Sequence, residues 1–221
     1  KFRECRFFCF LPMPETIERS GLPFHIHGSF GLRDDRRDFK WLSNDNRRDE
    51  AAQWNELILN EVLDTTLVSI IDYAKNSITK SSSEFPSLLD YYYLIPVWEN
   101  ASANWREKHL SAFFRRLGEV DLIMNRRDEW IKMADVLFTN KIDEKLGEFA
   151  KRNGQSLEIV QEAVLKCFES SRLPKISVPR HVIKAFEEIN GSDVLQFISI
   201  TDLCDSLRKN DTDELSNKEK T

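Results

Sequence analysis

Between Asp49 and Lys80 the chain carries no glycine and no proline, and it carries apolar residues at 54, 57, 58, 62, 63, 67, 70, 71 and 74. That spacing keeps one helical face apolar and predicts a single long amphipathic helix, with Asn46 or Asp49 placed to cap its first turn. A surface helix of this kind draws most of its stability from packing that face, so neighbouring residues must cover it. The stretch before it, FFCFLPMPETIERSGLPFHIHGSFGLRDDRR over residues 7–37, has the character of such a cover. Residues 5–11 alternate as a strand, with Cys5, Phe7, Cys9 and Leu11 on one face and Arg6, Phe8 and Phe10 on the other. Pro12 and Pro14 stop it. After a loop through Gly21 a second strand is expected over 23–32, with Phe24, Ile26, Gly28 and Phe30 on one face. The two strands are expected to pair as antiparallel neighbours under the long helix.

Beyond residue 80 the pattern breaks at KSSSEF, and Pro86 opens a second helix, PSLLDYYYLI, that must end before Pro96. A domain boundary is expected near 96–103, giving a lobe over 1–98 and a helix-rich lobe over 99–210. In the second lobe NWREKHLSAFFRRLG repeats apolar groups at 105, 110, 113, 114 and 117 and ends on Gly118. EWIKMADVLF has β character after a turn at NRRD, and DEKLGEFAKRNG returns to helix with Gly154 at its end. AVLKCFES and HVIKAFEE echo each other at an 18-residue offset, each after a short β-branched segment, LEIV and KISV, and read as two strand-then-helix units. A final helix is expected over 201–209, and residues 211–221 as a disordered polar tail. The fold class is therefore α+β: a β-hairpin packed on a long helix, followed by a helix-rich lobe with short strand-helix units. The strand-like beginning, with no leader before it, reads as a piece of a longer polypeptide.

Composition narrows the function. A net charge of −5 gives no electrostatic footprint for nucleic acid, and no apolar run approaches the ~20 residues of a membrane span. No nucleic-acid partner and no membrane insertion are expected. The four cysteines, Cys5, Cys9, Cys167 and Cys204, are sparse for 221 residues and suit thiols kept reduced, hence a soluble, cytoplasmic chain.

Three constellations suggest chemistry. Cys5 and Cys9 with His25 and His27 have the ligand types of a zinc site. However, C-x3-C along a strand at roughly 3.3 Å per residue holds the sulfurs more than about ten ångströms apart, so packed thiols and half-buried imidazoles are expected instead. Glu56 and Asn60 in NELILNEVLD are similar to the helix of a Bergerat-type ATPase, where a glutamate activates water and an asparagine four residues on holds magnesium. That site also needs an aspartate-glycine turn and a glycine-rich lid. The chain has only seven glycines, none so clustered, and Leu63 stands where an aspartate is required, so Glu56 and Asn60 are read as helix-packing residues. No P-loop, nucleophile elbow, H-E-x-x-H or dinucleotide turn is present. The expectation is a chain that is not an enzyme and holds no metal or cofactor. The third constellation is basic. Arg33, Arg36 and Arg37 beyond the second strand, with Arg47 and Arg48 ahead of the helix, are placed either to clamp a phosphate or carboxylate, or to form a solvated loop balanced by Asp34, Asp35, Asp38, Asp45 and Asp49.

FCFLPMPETIERSGLPFHIHGSFGLRDDRRDFKW followed by WNELILNEVL resembles the segment of sacsin-type repeats that follows their chaperone-like ATPase module. The residues that carry the resemblance are Phe10, Leu11, Pro12, Pro14, Gly21, Leu22, Pro23, His25, Gly28, Phe30, Leu32, Arg36, Arg37, Trp41, Trp54 and Asn55, within about residues 7–75. The resemblance implies part of a very large cytoplasmic polypeptide whose repeats are similar to the ninety-kilodalton heat-shock chaperone, and a middle-type fold without its own nucleotide pocket. Its implied partners are neighbouring repeat domains of the same chain, the heat-shock chaperone system and client proteins, with a part in intermediate-filament and mitochondrial organisation. In chaperones of that type the middle segment lends an arginine to the ATP bound next door, and Arg36 and Arg37 are the candidates for phosphate contact here. The alternative expectation is a stand-alone interaction module whose aromatic set, Phe7, Phe8, Phe10, Tyr91, Tyr92, Tyr93 and Trp98, forms a docking patch.

Overall fold

A computed structural model describes residues 6–13, 20–43, 48–79, 87–139, 142–191 and 193–205. The chain divides into two compact units, one of Lys1–Leu117 with Val178–Ile189, the other of Gly118–Ser177 with Asn190–Thr221. The boundary expected near residue 98 falls inside the first unit. Aromatic packing explains this: Trp105 meets Phe7 at 4.8 Å and Trp41 at 6.3 Å between ring centroids, and Phe114 meets Trp98 at 6.1 Å. The helix before Pro96 thus ends, at Tyr92, without ending a core. The tail expected to be disordered, 211–221, lies outside the described residues.

The first unit begins with β1 (Phe7–Cys9), which turns sharply at Phe10 (φ 63°) into the antiparallel β2 (Leu11–Pro12). On the other edge of β1 lies β3 (Ile26–His27), and that pair is parallel, with Phe7 opposite Ile26. The expected antiparallel pairing of 5–11 with 23–32 is therefore corrected. The reversal occurs at Phe10, inside the supposed first strand; β2 runs back, and the next strand to approach from the far side runs with β1. Leu11, expected on the same face as Phe7, is 72% exposed for the same reason. Phe7 itself is buried, met edge-on by Phe39 at 5.1 Å and Phe30 at 6.1 Å.

The helix expected from Asp49 forms, with the Asp49 carboxylate accepting the Ala51 and Ala52 N–H groups. It is helical from Glu50 to Thr79 but not uniformly so: α1 (Glu50–Leu57) passes through a π-helical turn over Ile58–Leu63 into α2 (Asp64–Thr79). The wider turn takes up an extra residue, so the buried row runs Ala52, Asn55, Leu59 and then Asp64, Leu67, Ile71, Ala74, Ser77. Trp54, Leu57 and Val62, expected on the apolar face, are about half exposed or more. Counting large apolar residues misjudged that face, because small and polar side chains fill it where the helix comes closest to the preceding chain.

Asp64 is the cost of that row. Burial pushes its carboxyl up to about 6, against the partial opposition of Arg116, whose Nη1 stands 3.9 Å away. The folded value lies above the unfolded one, so the folded chain binds the proton more readily, and this group's contribution to stability declines as pH rises from about 4 to 6. Asp64→Asn should therefore stabilise the protein by about 1 to 3 kcal/mol at pH 7 and by little below pH 4. Urea unfolding at both pH values checks this; an equal effect at the two would contradict it.

The first unit continues with α3 (Leu88–Tyr92), capped by Ser87, then α4 (Ala103–Trp105), a second π turn over Arg106–Leu110, and α5 (Ser111–Glu119). It is completed by α8 (Arg180–Asn190), whose Phe186 packs edge-on against Phe114 at 5.5 Å.

In the second unit β4 (Asp121–Met124) pairs antiparallel with β5 (Trp130–Lys132), and β6 (Leu137–Phe138) pairs parallel with β7 (Gln196–Phe197). Two helices, α6 (Asp143–Arg152) and α7 (Leu157–Leu165), enclose a core of Ile142, Leu146, Ala150, Val160, Val164, Leu173 and Ile198. The strand-helix units expected here do not form. LEIV is the first turn of α7, because Ser156 caps it by accepting the Ile159 N–H and because Val160 and Val164 fall on one helical face. KISV takes part in no named strand before α8. The final helix is described over 200–205, with Ser199 and Asp202 capping it reciprocally. The class α+β stands, with its sheets smaller than expected.

Candidate functional site

Two adjacent residues of α1 hold the backbone of the chain that precedes the helix. The Trp54 indole N–H donates to the Ser29 carbonyl at 2.8 Å. Asn55, 1% exposed, uses its whole amide: Oδ1 accepts the Gly31 N–H at 2.7 Å, and Nδ2 donates to the Gly31 carbonyl at 2.7 Å and the Lys40 carbonyl at 2.9 Å. Those carbonyls are the two ends of a tight hairpin. Lys40 N–H donates back to Gly31, Leu32 bridges Phe39, and Arg33 N–H donates to Asp38. Glycine is required at 31, since a Cβ there would stand 2.7 Å from that of Ala51. The clamp leaves the sequence RDDRRD, residues 33–38, as a projecting turn.

Arg36 sits at this turn in the left-handed region, φ 54°, with its N–H bonded to the Arg33 carbonyl, and the Asp35 carboxylate accepts the Arg37 N–H. Both arginine side chains are exposed, and among the described residues neither guanidinium has a carboxylate partner. Two neighbouring acids are engaged elsewhere: Asp38 accepts the Phe39 N–H, and Asp49 pairs with Lys40 at 3.1 Å, which together with the helix N–H groups holds its carboxyl below the usual range. The basic cluster expected from sequence is divided. Arg33 and Lys40 line an open hollow of about 500 Å³ with Asp34, Asp35, Asp38 and Asp49, four carboxylates against two cations and so unfavourable to a phosphate, whereas Arg36 and Arg37 do not line it. Arg48 is exposed ahead of α1, and Arg47 lies outside the described residues.

Beside the clamp lies a smaller recess of about 110 Å³. Its lining joins Trp41 and Leu42 to Ala52, Asn55, Glu56, Leu59 and Asn60 of the long helix and to Lys108 and His109 of the second π turn. His109 is 2% exposed, its ring 4.5 Å from that of Trp105, and neither of its ring nitrogens has a hydrogen-bond partner. Burial lowers its pKa to about 4, so the imidazole is neutral at pH 7. Sequence reading missed His109 because it falls within the apolar row of NWREKHLSAFF; a lone histidine at a core position was the available signal. Glu56 and Asn60, read as packing residues, are exposed and half-buried at this recess, while the buried positions beside them belong to Asn55 and Leu59.

Cys9 donates its thiol to the Phe30 carbonyl, and His25 Nδ1 accepts the Arg6 N–H at 3.0 Å. His27 stacks on Phe8 at 6.4 Å. Cys5 lies outside the described residues. The aromatic set does not form one docking patch. Phe7, Tyr91 and Tyr92 are core residues, Phe8 and Trp98 are half-buried, and Phe10 and Tyr93 are exposed. No helix among the described residues is long and apolar enough to cross a membrane.

Over 149 aligned residues, 65% of this chain, the sequence is 39% identical to human sacsin, and the aligned region spans 3% of that protein's length. The sacsin-type resemblance read from the hairpin and the Trp54–Asn55 pair is thereby upheld. No family model matches the chain, and no solved structure matches it.

Proposed function

We propose, from the premise that the chain is a sacsin-related segment, that it is a non-enzymatic, middle-type part of a giant chaperone-like cytoplasmic polypeptide. Its task is to present Arg36 and Arg37 to a phosphate held by a neighbouring module of the same polypeptide. The observation that carries this reading is the hairpin: a turn fixed at its base by three side-chain hydrogen bonds from Asn55, with two adjacent guanidinium groups at its exposed end. A guanidinium approaches phosphate with paired N–H donors, and it binds most strongly when its backbone is already fixed. The four aspartates of the hollow beside it outnumber Arg33 and Lys40 and disfavour a free anion there, which leaves Arg36 and Arg37 at the tip as the arginines open to a phosphate. The same placement suits contact with neighbouring repeat domains, and through them with heat-shock chaperones and client proteins in cytoskeletal and mitochondrial organisation.

The test uses a longer chain that includes the preceding ATPase-like module. Arg36→Ala with Arg37→Ala should weaken ATP binding or slow hydrolysis roughly ten- to a hundredfold, as expected for the loss of charge-assisted hydrogen bonds, with unchanged circular dichroism and unfolding midpoint. An unchanged nucleotide response would sink the proposal.

A further inference from the structure

We propose that the outer face of α1 and of the π turn that follows it docks a cationic amphipathic helix of a partner polypeptide.

Three large apolar side chains lie open on that face: Trp54 is 48% exposed, Leu57 51% and Val62 57%, with Ile58 half-buried between them. Trp54, Ile58 and Val62 follow one another at four-residue steps and so form a ridge along the helix, the π turn accommodating a step longer than 3.6 residues. The core has no use for this ridge, because Ala52, Asn55 and Leu59 make the buried face. What Trp54 exposes is carbon, since its one polar atom, the indole N–H, is already bonded to the Ser29 carbonyl at 2.8 Å. That bond also fixes the ring, and a rigid, half-exposed tryptophan is a typical anchor of a binding surface.

Charge then selects the occupant. From Asp49 to Ala74 the helix carries acidic residues and no lysine, arginine or histidine. Asp49 and Asp72 are paired, with Lys40 and Lys75. Glu50, four residues before Trp54, and Glu61, four after Leu57, are exposed, and among the described residues neither has a cationic partner. Unmet carboxylates beside carbon surface complement an apolar stripe edged with lysine or arginine. A ridge of this length offers grooves to a second helix, which packs its own apolar row into them. A second copy of this face would set Glu50 and Glu61 against themselves, and nucleic acid or an anionic bilayer would be repelled. The chain's own cationic amphipathic stretch is already used: α5 carries Arg115 and Arg116, but its Phe113, Phe114 and Leu117 lie in the core. The helix that fits therefore comes from another polypeptide.

The experiment is a calorimetric titration of the 221-residue chain at pH 7.5 with a helical peptide of leucine and lysine, its leucines on one face, and with the same peptide carrying glutamate for lysine. The lysine peptide should bind saturably with a Kd of about 10 to 100 µM, and the glutamate peptide at least about tenfold more weakly. Leu57→Gln with Val62→Gln should weaken the lysine peptide about tenfold, and Glu50→Gln with Glu61→Gln roughly three- to tenfold. All four positions are exposed, so the unfolding midpoint should hold in both variants. Glu107→Gln with Glu158→Gln, two exposed acids off this face, is the control and should leave the affinity unchanged. No saturable binding, equal binding of the two peptides, full affinity in the Leu57 and Val62 variant, or an equal loss in the control pair would overturn the proposal. So would sedimentation of the chain with phosphatidylcholine vesicles in the absence of peptide binding, which would make the face a membrane contact. In a chain extended at both ends, undiminished peptide binding upholds a separate partner. Lost binding there would show that an adjoining segment of the same polypeptide covers the face, and would overturn it.

Discussion

Asn55→Ala is expected to cost the fold about 3 kcal/mol, and with it the ordered presentation of Arg36 and Arg37. The substitution removes three hydrogen bonds at once and leaves the Gly31 N–H and the Lys40 carbonyl without the partner that met them. Each buried group left unmet costs about 1 to 3 kcal/mol, which for a chain of this length lowers Tm by several degrees, roughly 6 to 12 °C. Asn55→Asp distinguishes the hydrogen bonds from mere volume. Its carboxylate can still accept from Gly31 but faces two carbonyl oxygens, so its folded pKa should be raised and its penalty should shrink as pH falls and it regains a proton to donate. Thermal melts of both variants at pH 5 and 7.5 measure this. A loss below 1 kcal/mol for Asn55→Ala would mean that the hairpin stands without the clamp.

Gly21→Ala should be at least as damaging, for a reason that lies wholly in the backbone. Gly21 has φ +69°, and a Cβ there would stand 2.4 Å from the Val97 carbonyl oxygen. The two residues are joined, since Val97 N–H donates to the Gly21 carbonyl at 2.7 Å, so neither can retreat without breaking that bond. Left-handed geometry alone costs a non-glycine residue roughly 1 to 2 kcal/mol, and the clash with backbone should bring the total above about 3 kcal/mol. Gly154→Ala is the internal control: φ is +63° there, but a Cβ would meet nothing within 4 Å, so only the conformational cost of about 1 to 2 kcal/mol should appear. Equal effects at the two positions would show that contact with Val97 is not what demands glycine.

What could be read from the residues divides along physical lines. The long helix and its Asp49 cap were legible because capping and 3.6-residue periodicity are local properties. Its buried face was not. A π turn shifts every later residue around the axis, and no local preference announces one. The reversal at Phe10 was hidden too, since a phenylalanine with positive φ gives none of the glycine or asparagine signals of a tight turn. LEIV misled because β-branched residues raise strand propensity, yet the Ser156 cap and a helical face for Val160 outweighed it. Of the candidate site, Arg36 and Arg37 were found as an adjacent pair, whereas the clamp that fixes them required knowing that Asn55 points inward. His109 stayed unseen because an unmet nitrogen is a property of three-dimensional packing.

Mg-ATP titrated calorimetrically into this 221-residue chain and into a longer chain carrying the preceding module tests the central claim most directly. The account predicts no binding heat from the shorter chain and saturable binding by the longer one, weakened by the double substitution of Arg36 and Arg37 to alanine. Equal Mg-ATP binding by both chains would contradict it, and would return Glu56 and Asn60 to the position of nucleotide ligands.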